Sequence, residues 1–153
     1  VSGTEEVSKN WEQLKLKEGK KSVLEGVPSS LPSLIKAMRI QDKARSAGFD
    51  WEEKEQVLDK VEEELKELRV ELREGNHDKI ENEFGDLLFS LVNFSRFINV
   101  NPDESLERTN KKFISRFVYL EERARKMGRS LNDMSLSEMD IYWNEAKAKE
   151  VAK

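Results

Sequence analysis

Apolar residues recur every three or four positions in several separate segments of this chain, which is the spacing of one face of an α-helix. Glycine and proline fall between these segments, where helices commonly begin or end. The spacing predicts helices over residues 31–47, 51–74, 79–98, 102–127 and 135–149, and a short amphipathic stretch within residues 1–30. No segment alternates apolar and polar residues as a strand would, so the pattern predicts an all-α fold.

Two of these predicted helices are expected to form an antiparallel hairpin around Gly75, with their apolar residues facing one another along a shared seam. The seam comprises Leu58, Val61, Leu65, Leu68, Leu72, Ile80, Phe84, Leu87, Leu91, Phe94 and Ile98. Residues 87–98 are apolar around most of the helix, and a single layer of neighbours in a chain of 153 residues would not cover them. We therefore expect a homodimer, or a higher homo-oligomer, whose interface completes the core.

The composition excludes several classes of function. The chain has no cysteine, so it has no disulfide, thiolate nucleophile or cysteine zinc site, and its one histidine leaves oxygen as the main metal ligand. A net charge of −4 predicts no general attraction to nucleic acid. No apolar run approaches the roughly 20 residues of a membrane span, so we expect a cytoplasmic protein without a membrane partner.

Acidic residues are concentrated in the predicted hairpin, where residues 60–86 carry ten acidic and five basic side chains. In an antiparallel hairpin, the numbers of two facing residues add up to the same value all along the two helices. By this rule Glu64 faces Asp86, and Glu67 faces Glu83. These acids would converge into a cluster of oxygen ligands suited to a hard cation such as Mg²⁺ or Mn²⁺. The full candidate set is Glu63, Glu64, Glu67, Glu83 and Asp86.

The alternative interpretation is that a glutamate-rich helix face is simply solvated. It is weakest for Asp86, because an aspartate within Phe-Gly-Asp-Leu-Leu-Phe is a poor helix former among residues that favour burial. Gly85, beside it, costs a helix about 1 kcal/mol relative to alanine and indicates close approach of backbone or ligand.

Basic residues are concentrated later in the chain, with eight basic and two acidic side chains in residues 108–129. Lys112 and Arg116 are four residues apart and project from one helix face, and Trp143 and Lys147 have the same spacing in the last helix. Such side chains suit a phosphate chain that also contacts a carboxylate-held cation.

The run Glu63-Glu64-Leu-Lys-Glu67 followed by Glu83-Phe-Gly-Asp86 resembles the E-E-x-x-E and E-x-x-D signature of the MazG family of all-α nucleoside triphosphate pyrophosphohydrolases. The likeness to the carboxy-terminal catalytic domain of that family extends over roughly residues 20–149. It includes the segments 31–37, 48–51, 85–89, 110–117 and 143–147. The resemblance implies a helical bundle of that type with a MazG-like catalytic domain at 31–150, preceded by the linker and short helix that the apolar pattern predicts at 1–30.

The resemblance also implies an activity, which is hydrolysis of a nucleoside triphosphate between its α and β phosphates to nucleoside monophosphate and pyrophosphate, with Mg²⁺ required and Mn²⁺ as an alternative. The implied metal ligands are Glu63, Glu64, Glu67 and Asp86. Glu83 would add a ligand or position the attacking water, and Glu83 or Glu64 would accept its proton. The implied phosphate contacts are Lys60, Lys112, Arg116 and Lys147, with Asn110 and Trp143 as candidates for the sugar or base.

Two alternatives stay open from the sequence. One is a non-enzymatic dimeric helical scaffold whose acidic hairpin binds a basic partner. The other is a related pyrophosphohydrolase specific for dUTP or for a phosphoribosyl-ATP. The chain departs from the family pattern at Asn82, where a second acid is common, so it either has one ligand fewer or is unaffected because that position points away from the metal.

Overall fold

The computed structural model describes residues 2–17, 19 and 21–152. Within them the chain forms six α-helices and one 3₁₀ turn. They are α1 (Ser2–Lys17), α2 (Ser33–Ser46), α3 (Lys54–Glu74), α4 (His77–Phe97), α5 (Pro102–Lys126), the 3₁₀ turn (Leu131–Asp133) and α6 (Leu136–Val151). Because no strand occurs in these ranges, the all-α prediction is confirmed. Each of these helices is too short or too polar to cross a lipid bilayer.

The segment between α2 and α3 differs from the predicted helix boundary. Helix α3 starts three residues later than predicted, after Glu53, whose backbone N–H donates to the side chain of Gln56 at 3.2 Å. Asp50 accepts hydrogen bonds from the backbone N–H of Trp51 at 2.9 Å and from the guanidinium of Arg96 at 3.0 Å. These contacts fix the segment to α4, on the wall of the cavity described below.

Helices α3 and α4 form the predicted hairpin. Gly75, at φ 77°, ends α3 in the left-handed conformation that glycine adopts most readily. The side chain of Asn76 accepts the backbone N–H of Lys79 at 3.1 Å and begins α4. The connection is therefore only two residues long, which sets the register between the two helices.

The chain divides into two compact units, Val1–Asp103 and Glu104–Lys153. In the first unit, α4 packs against α3 and α2, and α2 contacts α1. The second unit holds most of α5, the 3₁₀ turn and α6 around a small core of Leu120, Ala124 and Met134. The domain boundary expected after residue 30 stays a prediction.

The predicted seam of the hairpin is wrong for several residues. The buried side chains of α3 are Val57, Glu64 and Leu68, and those of α4 are Ser90, Val92 and Ser95. The seam residues that are instead exposed are Leu58, Leu65, Leu72, Phe84, Leu91 and Ile98. Both helices are apolar on more than one side, and periodicity alone does not say which side faces the neighbouring helix.

Replacement of Gly85 by alanine is expected to stabilise the first unit by about 1 kcal/mol, the difference between the two residues in a helix interior. A Cβ added at Gly85 would meet no atom within 4 Å, so the close approach expected from the sequence is not seen within the part of the chain that the structure describes. Urea denaturation would measure the gain. A loss of stability in the Gly85→Ala variant would instead indicate a second copy of the chain packed at this position.

Candidate functional site

The carboxylates of Glu64, Glu83 and Asp86 converge between α3 and α4. Each contributes one oxygen atom, and these atoms lie within 4.8 Å of one another. Glu67 lies beside Glu83, close enough for the charge of Glu67 to act on the Glu83 carboxyl group. Both facing pairs predicted from the antiparallel register therefore occur.

This acid cluster is only partly neutralised by the side chains around it. The Nζ atom of Lys60 contacts Glu64 Oε1 at 3.0 Å and Glu63 Oε2 at 3.2 Å, and these hydrogen bonds raise the pKa of Lys60. Burial, followed by the charge of Glu67, raises the pKa of Glu83. The cluster is thus an anionic site with a single adjacent ammonium group among its described contacts.

Two carboxylate oxygens in the cluster are buried without a hydrogen-bond partner, Oε2 of Glu64 and Oε2 of Glu83. A buried charged oxygen without a partner costs several kcal/mol, so these atoms fit a cation that is bound during function. The donor set consists of oxygen alone, as hard divalent ions such as Mg²⁺ prefer. The residues present therefore fit a Mg²⁺ or Mn²⁺ site.

The remaining acidic candidates occupy different surroundings. Glu63 has a side chain 55% exposed and contacts Lys60, so its assignment as a ligand stays a prediction. Asn82 is exposed. Glu71, one turn beyond Glu67, is half-buried with an unpartnered Oε2, and it was not among the predicted ligands. The sequence feature that could have identified Glu71 as a candidate ligand is its spacing of four residues from Glu67.

A cavity of about 690 Å³ opens beside the acid cluster. Glu64, Asp86 and Lys60 line its acidic end, and the rest is lined by Leu24, which precedes α2, and by residues of α2, α4 and the segment between α2 and α3. Gln41 belongs to this lining and was missed by sequence reasoning. The signal was its position in α2, three residues after Met38 on the face that carries the apolar residues.

In the second unit, α5 and α6 bring Arg116 and Trp143 together. The guanidinium of Arg116 lies 5.8 Å from the centre of the Trp143 ring, which itself packs 5.1 Å from Phe113. Arg116 also forms an ion pair with Glu150, with Nη2 at 2.8 Å and Nε at 3.1 Å from its oxygens. The stacking and the ion pair together hold the guanidinium in one orientation.

Glu150 is the carboxylate around which the predicted phosphate contacts of this unit assemble. Its pKa is lowered first by Arg116 and further by the charges of Lys112 and Lys147. Three of the predicted residues thus surround one anionic group, and sequence reasoning missed that group. Asn110 lies exposed on α5.

The Arg116–Glu150 pair predicts a pH dependence of stability. Because the pKa of Glu150 is lowered in the folded protein, the pair contributes stability above the ordinary value of 4.5, and this contribution is lost as the pH falls through the folded pKa. A Glu150→Gln variant should melt below the parent protein at pH 7, and the two melting temperatures should converge in acid. Glu122→Gln, an exposed exchange on α5, is the control. A difference that is independent of pH would contradict the prediction.

These features define a helical protein whose α3–α4 hairpin carries a carboxylate cluster that could hold a metal ion. Residues 52–118 match the family model described as MazG nucleotide pyrophosphohydrolase domain. This span contains the whole acid cluster. Residues 52–118 therefore belong to the MazG family, as the sequence motifs predict.

Three relatives extend the match over most of the chain. The chain is 44% identical over 142 residues to the nucleoside triphosphate pyrophosphohydrolase/pyrophosphatase MazG of Thermotoga maritima, covering 91% of this chain and 54% of that protein. It is 36% identical over 157 residues to the nucleoside triphosphate pyrophosphohydrolase of Escherichia coli K12, covering 99% and 60%. It is 46% identical over 154 residues to the uncharacterized protein YabN of Bacillus subtilis, covering 98% and 32%. The chain thus spans about half the length of the first two relatives.

Proposed function

We propose that this chain is an enzyme that hydrolyses nucleoside triphosphates between the α and β phosphates to nucleoside monophosphate and pyrophosphate, with Mg²⁺ or Mn²⁺. The observation that carries the proposal is the convergence of Glu64, Glu83 and Asp86, with two buried and unpartnered oxygens, inside the MazG-matched residues. Two relatives are named nucleoside triphosphate pyrophosphohydrolases, which supports the same activity here.

Glu64, Glu83 and Asp86 would hold the cation, with Glu67 and Glu63 as further ligands. The bound ion would neutralise charge on the triphosphate and on the leaving pyrophosphate. We assign Glu83 as the acceptor of the proton from the attacking water where it does not itself bind the ion, because its carboxylate lies next to those of Glu64 and Asp86. Glu64 is the second candidate, since its Oε2 is also buried without a partner.

The basic residues are assigned to the phosphates. Lys60 contacts the acid cluster directly. In the second unit, the contacts of Glu150 suggest how an anion binds, because a phosphate that replaced this carboxylate would meet the bidentate donors of Arg116 and the charges of Lys112 and Lys147. Trp143 and Asn110 remain candidates for the sugar or base.

We also propose that a homodimer covers the exposed apolar side of the hairpin. Leu65, Leu72 and Phe84 are 41%, 57% and 52% exposed, and apolar residues exposed along a shared hairpin are typical of an interface between copies. The cytoplasmic location and the absence of nucleic-acid binding stay predictions.

The test uses two methylene analogues of ATP, each blocked at one phosphate linkage, in the presence of Mg²⁺. The β,γ-methylene analogue should yield AMP, because its α–β anhydride is intact, whereas the α,β-methylene analogue should resist hydrolysis. Separation of the products by ion-exchange chromatography would check both results, with the Asp86→Asn variant as a control for contaminating phosphatases. Release of orthophosphate and ADP from ATP would contradict the proposal.

A further inference from the structure

The carboxylate of Glu150 lies within a group of basic side chains in the second unit. Nε and Nη2 of Arg116 donate to its two oxygens at 3.1 and 2.8 Å, so one guanidinium contacts both acceptors. The charges of Lys112 and Lys147 also act on this carboxylate. The side chains of Arg116 and Glu150 are 17% and 36% exposed, so solvent screens the pair only in part. Three cations share one carboxylate, which leaves positive charge in excess.

Glu150 occupies an unfavourable position in its own helix. It lies in the last turn of α6, which ends at Val151, and the helix dipole at that end favours basic side chains and disfavours acidic ones. Part of the favourable contact with Arg116 therefore offsets this local cost. The carboxylate is held less firmly than its hydrogen bonds alone would indicate, and a stronger anion can displace it.

The guanidinium of Arg116 has a second support that does not depend on Glu150. It lies 5.8 Å from the centre of the Trp143 ring, and this ring packs 5.1 Å from Phe113. Stacking on an aromatic ring orients a guanidinium independently of its carboxylate partner. The donors of Arg116 therefore stay in place when Glu150 leaves, and they suit the oxygens of a phosphate as well as those of a carboxylate.

We propose that Glu150 is an autoinhibitory residue, which occupies this basic group in the ligand-free chain and is displaced by the polyphosphate of a nucleotide. The inference rests on the proposed function, which assigns Lys112, Arg116 and Lys147 to the phosphates, and it adds the group that blocks them before substrate binds. A polyphosphate carries several negative charges and is a stronger ligand for three cations than one carboxylate. Weakly bound monoanions leave Glu150 in place, whereas a polyphosphate overcomes the cost of displacing it.

The first experiment removes the competing carboxylate. Isothermal titration calorimetry with inorganic pyrophosphate, in EDTA so that the acid cluster holds no metal ion, would compare the parent protein with Glu150→Gln. The variant should bind pyrophosphate about fivefold more tightly, because no carboxylate competes for Arg116. Asp140→Asn removes the same charge at an exposed position of α6, about 15 Å away along the helix, and should leave the affinity unchanged. A gain of less than about twofold, or equal gains in both variants, would overturn the proposal.

A double variant locates the bound pyrophosphate. Glu150→Gln combined with Arg116→Gln should lose the gain in affinity, since the guanidinium that Glu150 blocks is then absent. Retention of the full gain would place the anion elsewhere and overturn the proposal. A merely structural role for Glu150 is also distinguishable, because it would lower the melting temperature of Glu150→Gln without tightening the binding of pyrophosphate.

The second experiment leaves the chain intact, so a folding defect in a variant does not prevent a decision. The carboxyl ¹³C resonance of Glu150 would be followed by nuclear magnetic resonance at pH 7 while pyrophosphate is added to the metal-free protein. It should move towards the position of the exposed Glu122 as the contact with Arg116 is lost. An unchanged resonance at saturating pyrophosphate would overturn the proposal.

The outcomes separate this inference from the proposed function. Displacement of Glu150 by pyrophosphate without hydrolysis of any nucleoside triphosphate would contradict the activity and leave the autoinhibitory contact standing. Hydrolysis with the expected products, together with equal pyrophosphate affinities of the parent protein and Glu150→Gln, would overturn the contact alone. If both proposals hold, KM for ATP should fall in Glu150→Gln by about the same factor as the dissociation constant of pyrophosphate.

Discussion

Replacement of Asp86 by asparagine is expected to reduce hydrolysis of nucleoside triphosphates more than about 100-fold. Asp86 shares the acid cluster with Glu64 and Glu83, and an amide removes the charge that holds a divalent cation while keeping the size of the side chain. Glu64→Gln should give a loss of similar size, because the Glu64 side chain is 7% exposed and faces Asp86 across the hairpin. Pyrophosphate release under saturating substrate would measure both effects.

Matched variants on α3 distinguish a site effect from a general loss of charge. Asp59→Asn and Glu62→Gln exchange the same groups at exposed positions of the same hairpin, and they should retain nearly full activity. Far-ultraviolet circular dichroism should be unchanged in all four variants, since an exchange of carboxylate for amide preserves the helices. Full activity of both Asp86→Asn and Glu64→Gln would refute the assignment of the acid cluster as the catalytic centre.

Addition of Mg²⁺ or Mn²⁺ to metal-free protein at pH 7.5 is expected to raise its melting temperature by about 5–10 °C at an ion concentration near 100 times the dissociation constant. The ion would satisfy the buried oxygens of Glu64 and Glu83 and relieve the repulsion within the cluster. The stabilisation should shrink in acid, because the raised pKa of Glu83 lets a proton compete with the ion. Differential scanning calorimetry over a range of pH would record the shift.

The Glu83→Gln variant provides the control for this experiment. It should melt above the parent protein when both are metal-free at neutral pH, because it lacks one of the mutually repelling charges, and it should gain less from added ion. Chelation should abolish hydrolysis by the parent protein. Equal stabilisation of the parent and the Glu83→Gln variant by Mg²⁺ would show that the ion binds elsewhere.

The helices and the facing acid pairs were predictable from the sequence because both depend on short-range regularities. The apolar period defines each helix, and Gly75 ends α3 with only Asn76 between it and α4. Once that connection is short, the pairing of Glu64 with Asp86 follows from the register. The same periodicity did not predict which side chains are buried, since Leu58 and Leu65 are as apolar as Leu68 and yet remain exposed.

Gln41 and Glu150 were not predictable because their roles depend on partners far away in the sequence. The side-chain amide of Gln41 donates to the carbonyl of Phe89, 48 residues away, and Gln41 lines the cavity beside the acid cluster. Glu150 pairs with Arg116, 34 residues away. Composition and spacing describe neighbours along a helix, and they contain no information about which side chains meet between helices that are distant in the chain.

The two-residue connection between α3 and α4 makes the acid cluster sensitive to insertions at one point of the chain. An extra residue after Gly75 would shift each residue of α4 relative to α3. Glu64 would then face a residue next to Asp86 in the sequence, whose side chain points in another direction. Length variation among natural variants should therefore be rare between α3 and α4 and commoner in the segment before α2, which contributes no carboxylate to the cluster.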